Sequence, residues 1–431
     1  MSRTERERLA DLRARVAALY RANRRQGHAA WCDADYDYVC PSAETYPFQW
    51  FWDSCFHAIV LSHLDVGWAE AELRTLLRNQ QPDGFVPHMT LWPAERPPDV
   101  TGPYRVAGRS PWLSASMQPP VLAEAVAAVA ARGRGATYLR EVLPAVRRFY
   151  EWCDRVRDPD RDGLIAIVEP HESGMDQTPA YDAYLGVAGG EPEDFEAAWR
   201  VVAESNAAAG HDTGAIIERD RFVVEDLAVN ALYAANLRVL SGLLRQVGEI
   251  DAAARIDERA DRTAAALLEH CWSSDDEDFH GLTGRDERRL PGGTVAGLLP
   301  IILGDLPAPI VDRIARRLED PADFGPSHPV PSVSLSNPAY RRAPAGGTVL
   351  WRGPSWIGTN WYIARGLRRH GRAELATRIE DASLRLVERS GFREHYDAET
   401  GEGYGAKGFA WSALVLDLAE ARVNERGAAP S

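Results

Sequence analysis

The sequence predicts an all-α fold, an (α/α)6 toroid in which inner and outer helices form a ring and long loops cover one face. Apolar residues recur at helical spacing along most of the 431 residues, and alternating β-type runs are rare and short. Long Pro/Gly-rich connections separate the helices without a low-complexity linker, at 82–112, 170–195, 274–294 and 320–355. Connections of that length in a compact protein are usually functional. A multi-domain helical bundle is the alternative architecture.

Helical periodicity predicts about eleven to thirteen helices, arranged in pairs. The apolar series from Tyr138 to Cys153 predicts one of them, with Pro144 starting or kinking it. The other clear segments are 3–24, 221–246, 249–272, 355–370, 372–389 and 408–422. We therefore expect an N-terminal helix within 1–27 packed on a toroid formed by 28–423, followed by a disordered tail at 424–431.

Charge and composition exclude several kinds of partner. The formal net charge is −14, so nucleic acid and anionic membrane surfaces would repel the protein. No apolar run approaches the roughly 18 residues of a membrane span. The N-terminus, MSRTERERLADLRARV, lacks the apolar region of a signal peptide. We expect a cytoplasmic protein whose partner is a small molecule, and the oligomeric state stays open.

Cysteine and aromatic content also indicate the kind of ligand. The 5 cysteines are odd in number and show no CxxC or Cys/His spacing, which favours buried free thiols over a zinc site. The 13 Trp and 14 Tyr residues are the stronger signal. Flat rings that also form hydrogen bonds suit the apolar faces and hydroxyl rims of sugars. A purely structural role in the core is the alternative for many of them.

Two loops carry carboxyl groups in unusual surroundings. Glu172 and Asp176 lie in EPHESGMDQTPAYD (169–182), and Glu394 lies in SGFREHYDAETGEGYG (390–405). Two carboxyls facing each other across a pocket are the minimal apparatus for cleaving a glycosidic bond. Taken singly, each acid can also be a solvated or helix-capping group.

The stretch DPDRDGLIAIVE (158–169) matches the acidic positions of a calcium-binding EF-hand loop. The match has a proline at its second position, and the segment leads into a loop rather than an exiting helix. We therefore expect a turn whose Asp side chains cap the backbone, with no metal and no cofactor. A Ca²⁺ ion held by Asp158, Asp160, Asp162 and Glu169 is the alternative.

Eight motifs together resemble glycoside hydrolase family 63, in its compact bacterial branch. That branch includes mannosylglycerate and glucosylglycerate hydrolases and is related more distantly to trehalases. The motifs occur in the family's order from about residue 28 to 420: YPFQWFWDSCFHAI (46–59), QPDGFVPHM (81–89), SMQPP (116–120), DPDRDGL (158–164), ESGMDQTP (172–179), FVVEDLAVNALY (222–233), WRGPSWIGTNW (351–361) and FREHYDAETGEGYG (392–405).

The resemblance implies an (α/α)6 barrel and hydrolysis with inversion of a small α-glucoside or α-mannoside. Asp176 falls on the general acid and Glu394 on the base that activates water. Inversion implies carboxyl groups about 6.5–9.5 Å apart. The pKa of Asp176 is expected to be raised by burial or by a neighbour such as Glu172. The resemblance assigns sugar binding to Tyr46, Gln49, Trp50, Trp52, Asp53, His88, Gln118, Glu172, Asp226, Trp351, Arg352, Trp356 and Trp411.

Structural roles remain open for several of these residues. Asp53 can be a helix cap, His88 a buried structural histidine, and Arg352 a clamp on a carboxylate. Asp226 and Asn230, four residues apart on one helix face, can point into the site or satisfy loop backbone groups.

The leaving-group side departs from the family pattern. Glycerate-specific members carry an Asp–Gln pair before a late Ser–Trp, whereas here KGFAW (407–411) places Gly408 and Phe409 there. The segment 184–220 matches no family motif and carries many acids. The leaving group is therefore open, and a trehalase-like α-glucosidase or a non-catalytic carbohydrate-binding toroid are the alternatives. An epimerase or lyase is less favoured, because the histidines do not form pairs.

Overall fold

Helices form most of the protein, as predicted. The computed structural model describes residues 3–95, 108–187, 192–342 and 350–428. Within them the α-helices are α1 (Arg3–Asn23), α2 (Phe51–Leu64), α3 (Val66–Arg78), α4 (Leu122–Arg132), α5 (Ala136–Arg157), α6 (Asp182–Leu185), α7 (Pro192–Ala208), α8 (Thr213–Arg219), α9 (Leu227–Gln246), α10 (Ile250–Ala266), α11 (Ala308–Glu319), α12 (Ile357–Arg369), α13 (Ala373–Ser390) and α14 (Val415–Ala428). Shorter helical turns span Pro170–Ser173, Pro179–Tyr181, Val295–Leu303 and Ala410–Leu414, and a π-helical turn spans Leu267–Cys271.

The helices close into a ring. Its inner members are, in order, α2, α4, α9, the 3₁₀ helix Val295–Leu303, α12 and the 3₁₀ helix Ala410–Leu414 that leads into α14. Each contacts the next, and Ala410–Leu414 contacts α2 again. The outer partners are α3, α5, α10, α11, α13 and α1, each packed on its inner neighbour. The predicted all-α toroid is confirmed.

The burial of each helix follows its sequence pattern. Every residue of α2 from Phe51 to Ser62 is buried, as expected for a core helix that is apolar on all sides. The outer helix α11 instead buries one stripe, which includes Ile310, Ile314 and Leu318. Of the described helices, α9 alone is long and apolar enough to cross a membrane, but most of it is buried beneath its neighbours in the ring.

Short antiparallel strands lead into the inner helices. They are β1 (Arg24–Ala29), β2 (Ala34–Val39), β3 (Gln49–Trp50), β4 (Met89–Thr90), β5 (Gly108–Ser110), β6 (Leu113–Ser114), β7 (Val224–Glu225), β8 (Trp272–Ser273), β9 (Asp278–Phe279), β10 (Leu282–Thr283), β11 (Arg288–Arg289), β12 (Arg393–Tyr396) and β13 (Gly403–Lys407). They pair in the orders β1-β2, β3-β4-β6-β5, β11-β10-β7, β8-β9 and β12-β13. Because β3 precedes α2, β7 precedes α9 and the β12–β13 hairpin precedes Ala410–Leu414, these strands shape the loops at the helix N-termini.

Three boundaries differ from the predicted ones. Pro144 lies inside α5 rather than at its start, in an exposed position. Helix α1 ends at Asn23, where the chain turns into β1. Helix α14 continues to Ala428, into the segment predicted as a tail, and residues 429–431 lie outside the described part. Parts of three predicted long connections, at 96–107, 188–191 and 343–349, also lie outside it.

Close packing in the ring makes one glycine sensitive to substitution. A Cβ on Gly366 of α12 would lie 2.8 Å from the carbonyl oxygen of Ile301, which is rigid backbone. We expect Gly366→Ala to lower the free energy of unfolding by about 1–3 kcal/mol. The matched control is Gly242→Ala in α9, where the new methyl meets nothing within 4 Å. It should raise stability by up to about 1 kcal/mol through helix propensity. Urea denaturation of both variants measures this difference, and equal effects would contradict the packing described.

Candidate active site

Three carboxyl groups from distant parts of the chain meet at one face of the ring. Asp53 lies in the first turn of α2, Asp176 follows the 3₁₀ helix Pro170–Ser173, and Glu394 lies in β12. The charge of Glu394 raises the pKa of both Asp53 and Asp176. Tyr46, which donates a hydrogen bond to Glu394, also has its pKa raised by all three acids. The residues predicted as acid and base therefore lie close enough to interact electrostatically, and their catalytic roles stay predictions.

Glu394 is the acid of the three that receives the strongest hydrogen-bond donors. Its carboxylate accepts hydrogen bonds from the Tyr46 hydroxyl at 3.0 Å and from the Ala406 backbone N–H at 2.7 Å. Burial raises the pKa of Glu394, while these two donors lower it. Gly405, at φ +66°, permits the close approach, because a Cβ there would lie 2.5 Å from Glu394 Oε2.

Asp176 retains some accessible surface in the loop that carries it. Burial and then the charge of Glu394 raise the pKa of Asp176 to about 7, although its own backbone N–H lowers it. The turn before it depends on Gly174 at φ +69°, because a side chain at that position would clash with the Trp52 ring. The loop thus closes directly onto the aromatic residue preceding Asp53.

Asp53 does not cap α2. The N-cap position is Trp50 and has no side-chain cap, whereas Asp53 lies within the first helical turn. Burial raises the pKa of Asp53 to about 8, and the charge of Glu394 acts in the same direction. The two donors on Glu394 favour its ionised form, whereas burial raises the pKa of both Asp53 and Asp176.

Aromatic side chains form a continuous wall beside the acids. The ring of Trp411 lies 4.9 Å from Trp52, 5.5 Å from Trp356 and 5.3 Å from Phe409. Trp351 stacks on Trp356 with the ring centroids 4.0 Å apart. Among the described residues, the indole N–H groups of Trp356 and Trp411 are buried without an acceptor. Apolar faces with unpaired donors are what a sugar ring and its hydroxyls require.

The wall continues on the other side of Tyr46. The ring of Trp50 lies 6.0 Å from Tyr46 and 4.9 Å from His88. Burial lowers the pKa of His88 well below its usual range, so the ring is neutral. Its Nδ1 lies 3.4 Å from Ser116 Oγ, and Nε2 has no partner among the described residues. Gln118 uses its Oε1 to accept the Trp52 backbone N–H at 3.0 Å, which positions the start of α2.

Two residues predicted to bind sugar are engaged inside the protein instead. Gln49 accepts from Trp92 Nε1 at 2.6 Å and donates to Ser54 Oγ at 3.1 Å. Glu172 accepts two hydrogen bonds from Arg157, at 2.8 and 2.6 Å, and two more from the backbone N–H groups of Met117 and Val168. Burial, one of the two predicted causes, raises the pKa of Asp176 most, and the acid that adds to it is Glu394 rather than Glu172.

Asp226 and Arg352 also have internal partners. Asp226 caps α9 by accepting the Val229 N–H at 3.0 Å, and it accepts the Tyr181 hydroxyl at 2.7 Å. Arg352 forms a two-point salt bridge with Asp182, with distances of 3.1 and 2.5 Å. Asn230 binds both backbone groups of Ile165. For Asp226, Arg352 and Asn230, a structural role inside the protein accounts for the contacts.

The acidic turn does not follow the EF-hand register, which was the alternative to the expected backbone-capping turn. The carboxylates of Asp158, Asp160 and Asp162 lie within 4.8 Å of one another. Glu169 has different neighbours. It accepts a hydrogen bond from Asn206 at 3.2 Å, and burial and then the charge of Glu172 raise its pKa. A calcium site through the twelfth loop position is therefore not formed by this geometry.

Sequence reasoning missed the groups that hold Glu394. Gly405 and the N–H of Ala406 position its carboxylate, and Asp182 fixes Arg352. The three glycines of GEGYG, at the end of the Glu394 motif, were the available signal for a close backbone approach.

A closed helical toroid with buried carboxyl groups against an aromatic wall is the arrangement expected of a glycoside hydrolase. The model for the mannosylglycerate hydrolase MGH1-like glycoside hydrolase domain matches residues 46–412. Together with the relatives below, this match shows that the chain belongs to glycoside hydrolase family 63, in its compact bacterial branch, as the sequence motifs indicated.

Named relatives match nearly the whole chain. A mannosylglycerate hydrolase of Thermus thermophilus is 32% identical over 408 residues, covering 88% of this chain and 95% of that protein. A glucosylglycerate hydrolase of Mycolicibacterium hassiacum is 29% identical, covering 86% and 92%. A crystal structure of a family 63 mannosylglycerate hydrolase from Thermus thermophilus, in complex with Tris and D-glycerate, aligns with a TM-score of 0.82 and 30% identity, covering 95% of this chain and 100% of that one.

The internal role of Glu172 leads to a testable consequence. Glu172→Ala leaves the Arg157 guanidinium buried without its partner, so we expect the unfolding free energy to fall by about 3–5 kcal/mol. Replacing both residues together, as Arg157→Met with Glu172→Leu, should recover part of that loss, because the backbone N–H groups of Met117 and Val168 still lack their acceptor. Chemical denaturation measures both effects. An unchanged stability with a raised KM would instead identify Glu172 as a substrate contact.

Proposed function

We propose that this glycoside hydrolase cleaves a small α-mannoside or α-glucoside with inversion, with Asp176 as general acid and Glu394 as general base. The observation that carries the proposal is the unequal treatment of two facing acids. Glu394 receives two hydrogen bonds that favour its ionised form, whereas the pKa of Asp176 is raised to about 7. The names of the relatives support glycosides of glycerate as the substrate class.

The chemistry follows from those protonation states. Asp176 donates its proton to the glycosidic oxygen as the bond to the anomeric carbon breaks. Glu394 removes a proton from water, whose oxygen attacks that carbon from the opposite face. The leaving group departs as an alcohol and the sugar is released with inverted configuration. Room for this water requires carboxyl groups about 6.5–9.5 Å apart, a separation that stays a prediction.

The remaining pocket residues are proposed to hold the sugar. Trp52 offers an apolar face, and Asp53, which keeps a proton near neutral pH, donates or accepts a hydrogen bond with a ring hydroxyl. Neutral His88 presents Nε2, and Trp356 and Trp411 present unpaired indole N–H groups. These groups place the anomeric carbon between the acid and the base.

A trehalase-like α-glucosidase is the second candidate, favoured by Phe409. Its ring lies 6.1 Å from Tyr46 and 5.3 Å from Trp411, so it adds apolar surface at the place of the Asp–Gln pair of glycerate-specific members. A panel of α-mannosylglycerate, α-glucosylglycerate, trehalose, kojibiose and nigerose distinguishes the candidates by release of free sugar. Binding of these glycosides without turnover of any would favour the non-catalytic toroid.

The two proposed roles predict different rescue by an activated leaving group. Asp176→Asn should reduce turnover of the best glycoside by about 100-fold to 10,000-fold, because protonation of the leaving oxygen is lost. It should retain most of its activity on the matching α-glycosyl fluoride, which leaves without protonation. Glu394→Gln should lose activity on both substrates. Asp53→Asn is the matched control from the same pocket and should lose activity on both as a sugar contact.

Proton NMR of the first-formed product adds the stereochemical readout. An α-glycoside should give the β-anomer before mutarotation, as inversion requires. Rescue of Asp53→Asn, rather than Asp176→Asn, by the fluoride would transfer the acid role to Asp53. An α-anomer as first product would contradict the inverting mechanism.

A further inference from the structure

A groove of about 770 Å³ lies on the outside of the ring, and none of its lining residues belongs to the proposed active site. Its walls are the outer helices α5 and α10, and its floor is the inner helix α9, which contacts both. The rings of Tyr150 and Tyr233 stack where α5 meets α9, with their centroids 6.1 Å apart. A groove of this volume is large enough to hold a small molecule.

Arginine side chains line this groove at helical spacing. Arg255, Arg259 and Arg262 are four and three residues apart in α10, so they share one face of that helix. Arg147 adds a fourth guanidinium from α5. Arg255 is exposed and forms no salt bridge with another described residue. The groove therefore brings together more positive charge than packing between two helices requires.

Most acids of the groove already have an arginine partner. Three of the four lie within 4 Å of a guanidinium, in the pairs Arg147–Glu151, Arg259–Asp154 and Arg238–Asp261. The fourth, Glu258, is exposed at the rim. Arg262 reaches only Asp154, at 3.9 Å, and shares that acid with Arg259. Arg255 and Arg262 are thus left to attract a further anion.

The buried guanidinium of Arg259 gives the strongest indication of a ligand. Only 4% of the residue is exposed, and its Nη1 atom pairs with Asp154 and Asp158 at 2.9 and 2.5 Å. The Nε and Nη2 atoms of Arg259, together with the hydroxyl of the neighbouring Tyr233, are buried without a hydrogen-bond partner among the described residues. Buried donors without an acceptor are costly. One oxyanion in the groove would satisfy the guanidinium and the hydroxyl together.

We propose that this groove binds a phosphate-type oxyanion, either inorganic phosphate or the phosphate group of a small monoester. The Nε and Nη2 edge of Arg259 is the fork that donates two parallel hydrogen bonds to such an anion. The Tyr233 hydroxyl donates to a third oxygen, and Arg255 and Arg262 supply charge from the rim. A planar carboxylate has only two oxygens and fills less of this donor set. Binding here does not depend on the glycosidase assignment, because the groove is separate from the proposed active site.

Anion binding is tested by titrating the full chain in a phosphate-free chloride buffer. Isothermal titration with sodium phosphate should show one saturable site per chain, and the melting temperature should rise with phosphate and level off at saturation. Glycerol 3-phosphate should bind at the same site, whereas glycerol should not. Tighter binding of glycerol 3-phosphate would identify a monoester as the ligand, and tighter binding of phosphate would identify the free anion. Absence of saturable binding of both, or equal binding of acetate, would overturn the proposal.

Matched variants locate the phosphate in this groove. Tyr233→Phe removes one donor without changing the charge and should weaken phosphate binding about tenfold. Arg255→Gln, at an exposed position, should weaken it about threefold or more, and Glu258→Gln should strengthen it, because each changes the charge at the rim. Arg316→Gln makes the same charge change on the exposed side of α11, outside the groove, and should leave the affinity unchanged. Unchanged affinity in both Tyr233→Phe and Arg255→Gln, or an equal loss in Arg316→Gln, would overturn the assignment.

Discussion

Burial of carboxyl groups is the constraint on which the active site depends. It raises the pKa of Asp53 and Asp176, and the charge of the nearby Glu394 acts in the same direction. Hydrogen bonds oppose the effect of burial at Glu394, because Tyr46 and the Ala406 N–H both donate to its carboxylate. The proposed difference between a proton donor and a proton acceptor thus rests on local donors acting on chemically similar groups.

The surrounding scaffold maintains this arrangement through contacts that never reach the sugar. Gly174 lets the backbone of its loop pack against the Trp52 ring, and Gly405 lets the backbone of β13 pack against the Glu394 side chain. A Cβ atom at either position would clash. The Arg157–Glu172 pair anchors the segment before Asp176, and its burial makes the partners dependent on each other. Rigid anchoring of this kind keeps a catalytic constellation within the small tolerances that proton transfer requires.

Periodicity was sufficient to predict the helical toroid, because inner helices are apolar on all sides and outer helices show one stripe. It left Pro144 open between the start of a helix and a kink, and the structure places Pro144 inside α5. For the site, motif resemblance led to the acids and the aromatic wall, whose roles in catalysis and sugar binding stay predictions. It did not show that Gln49 and Asp226 have internal partners, since a polar side chain near a site motif serves either a sugar or the loop backbone.

The central claim is the proposed division of roles, in which Glu394 is ionised and Asp176 carries the proton. Neutron diffraction from a deuterated crystal at about pD 6 tests it most directly, because deuterons on carboxyl oxygens are visible. This pD lies below the raised pKa of Asp176, which is about 7. The account predicts deuterons on Asp53 and Asp176 and none on Glu394. A deuteron on Glu394 with Asp176 ionised would contradict it, since acid and base would then exchange roles.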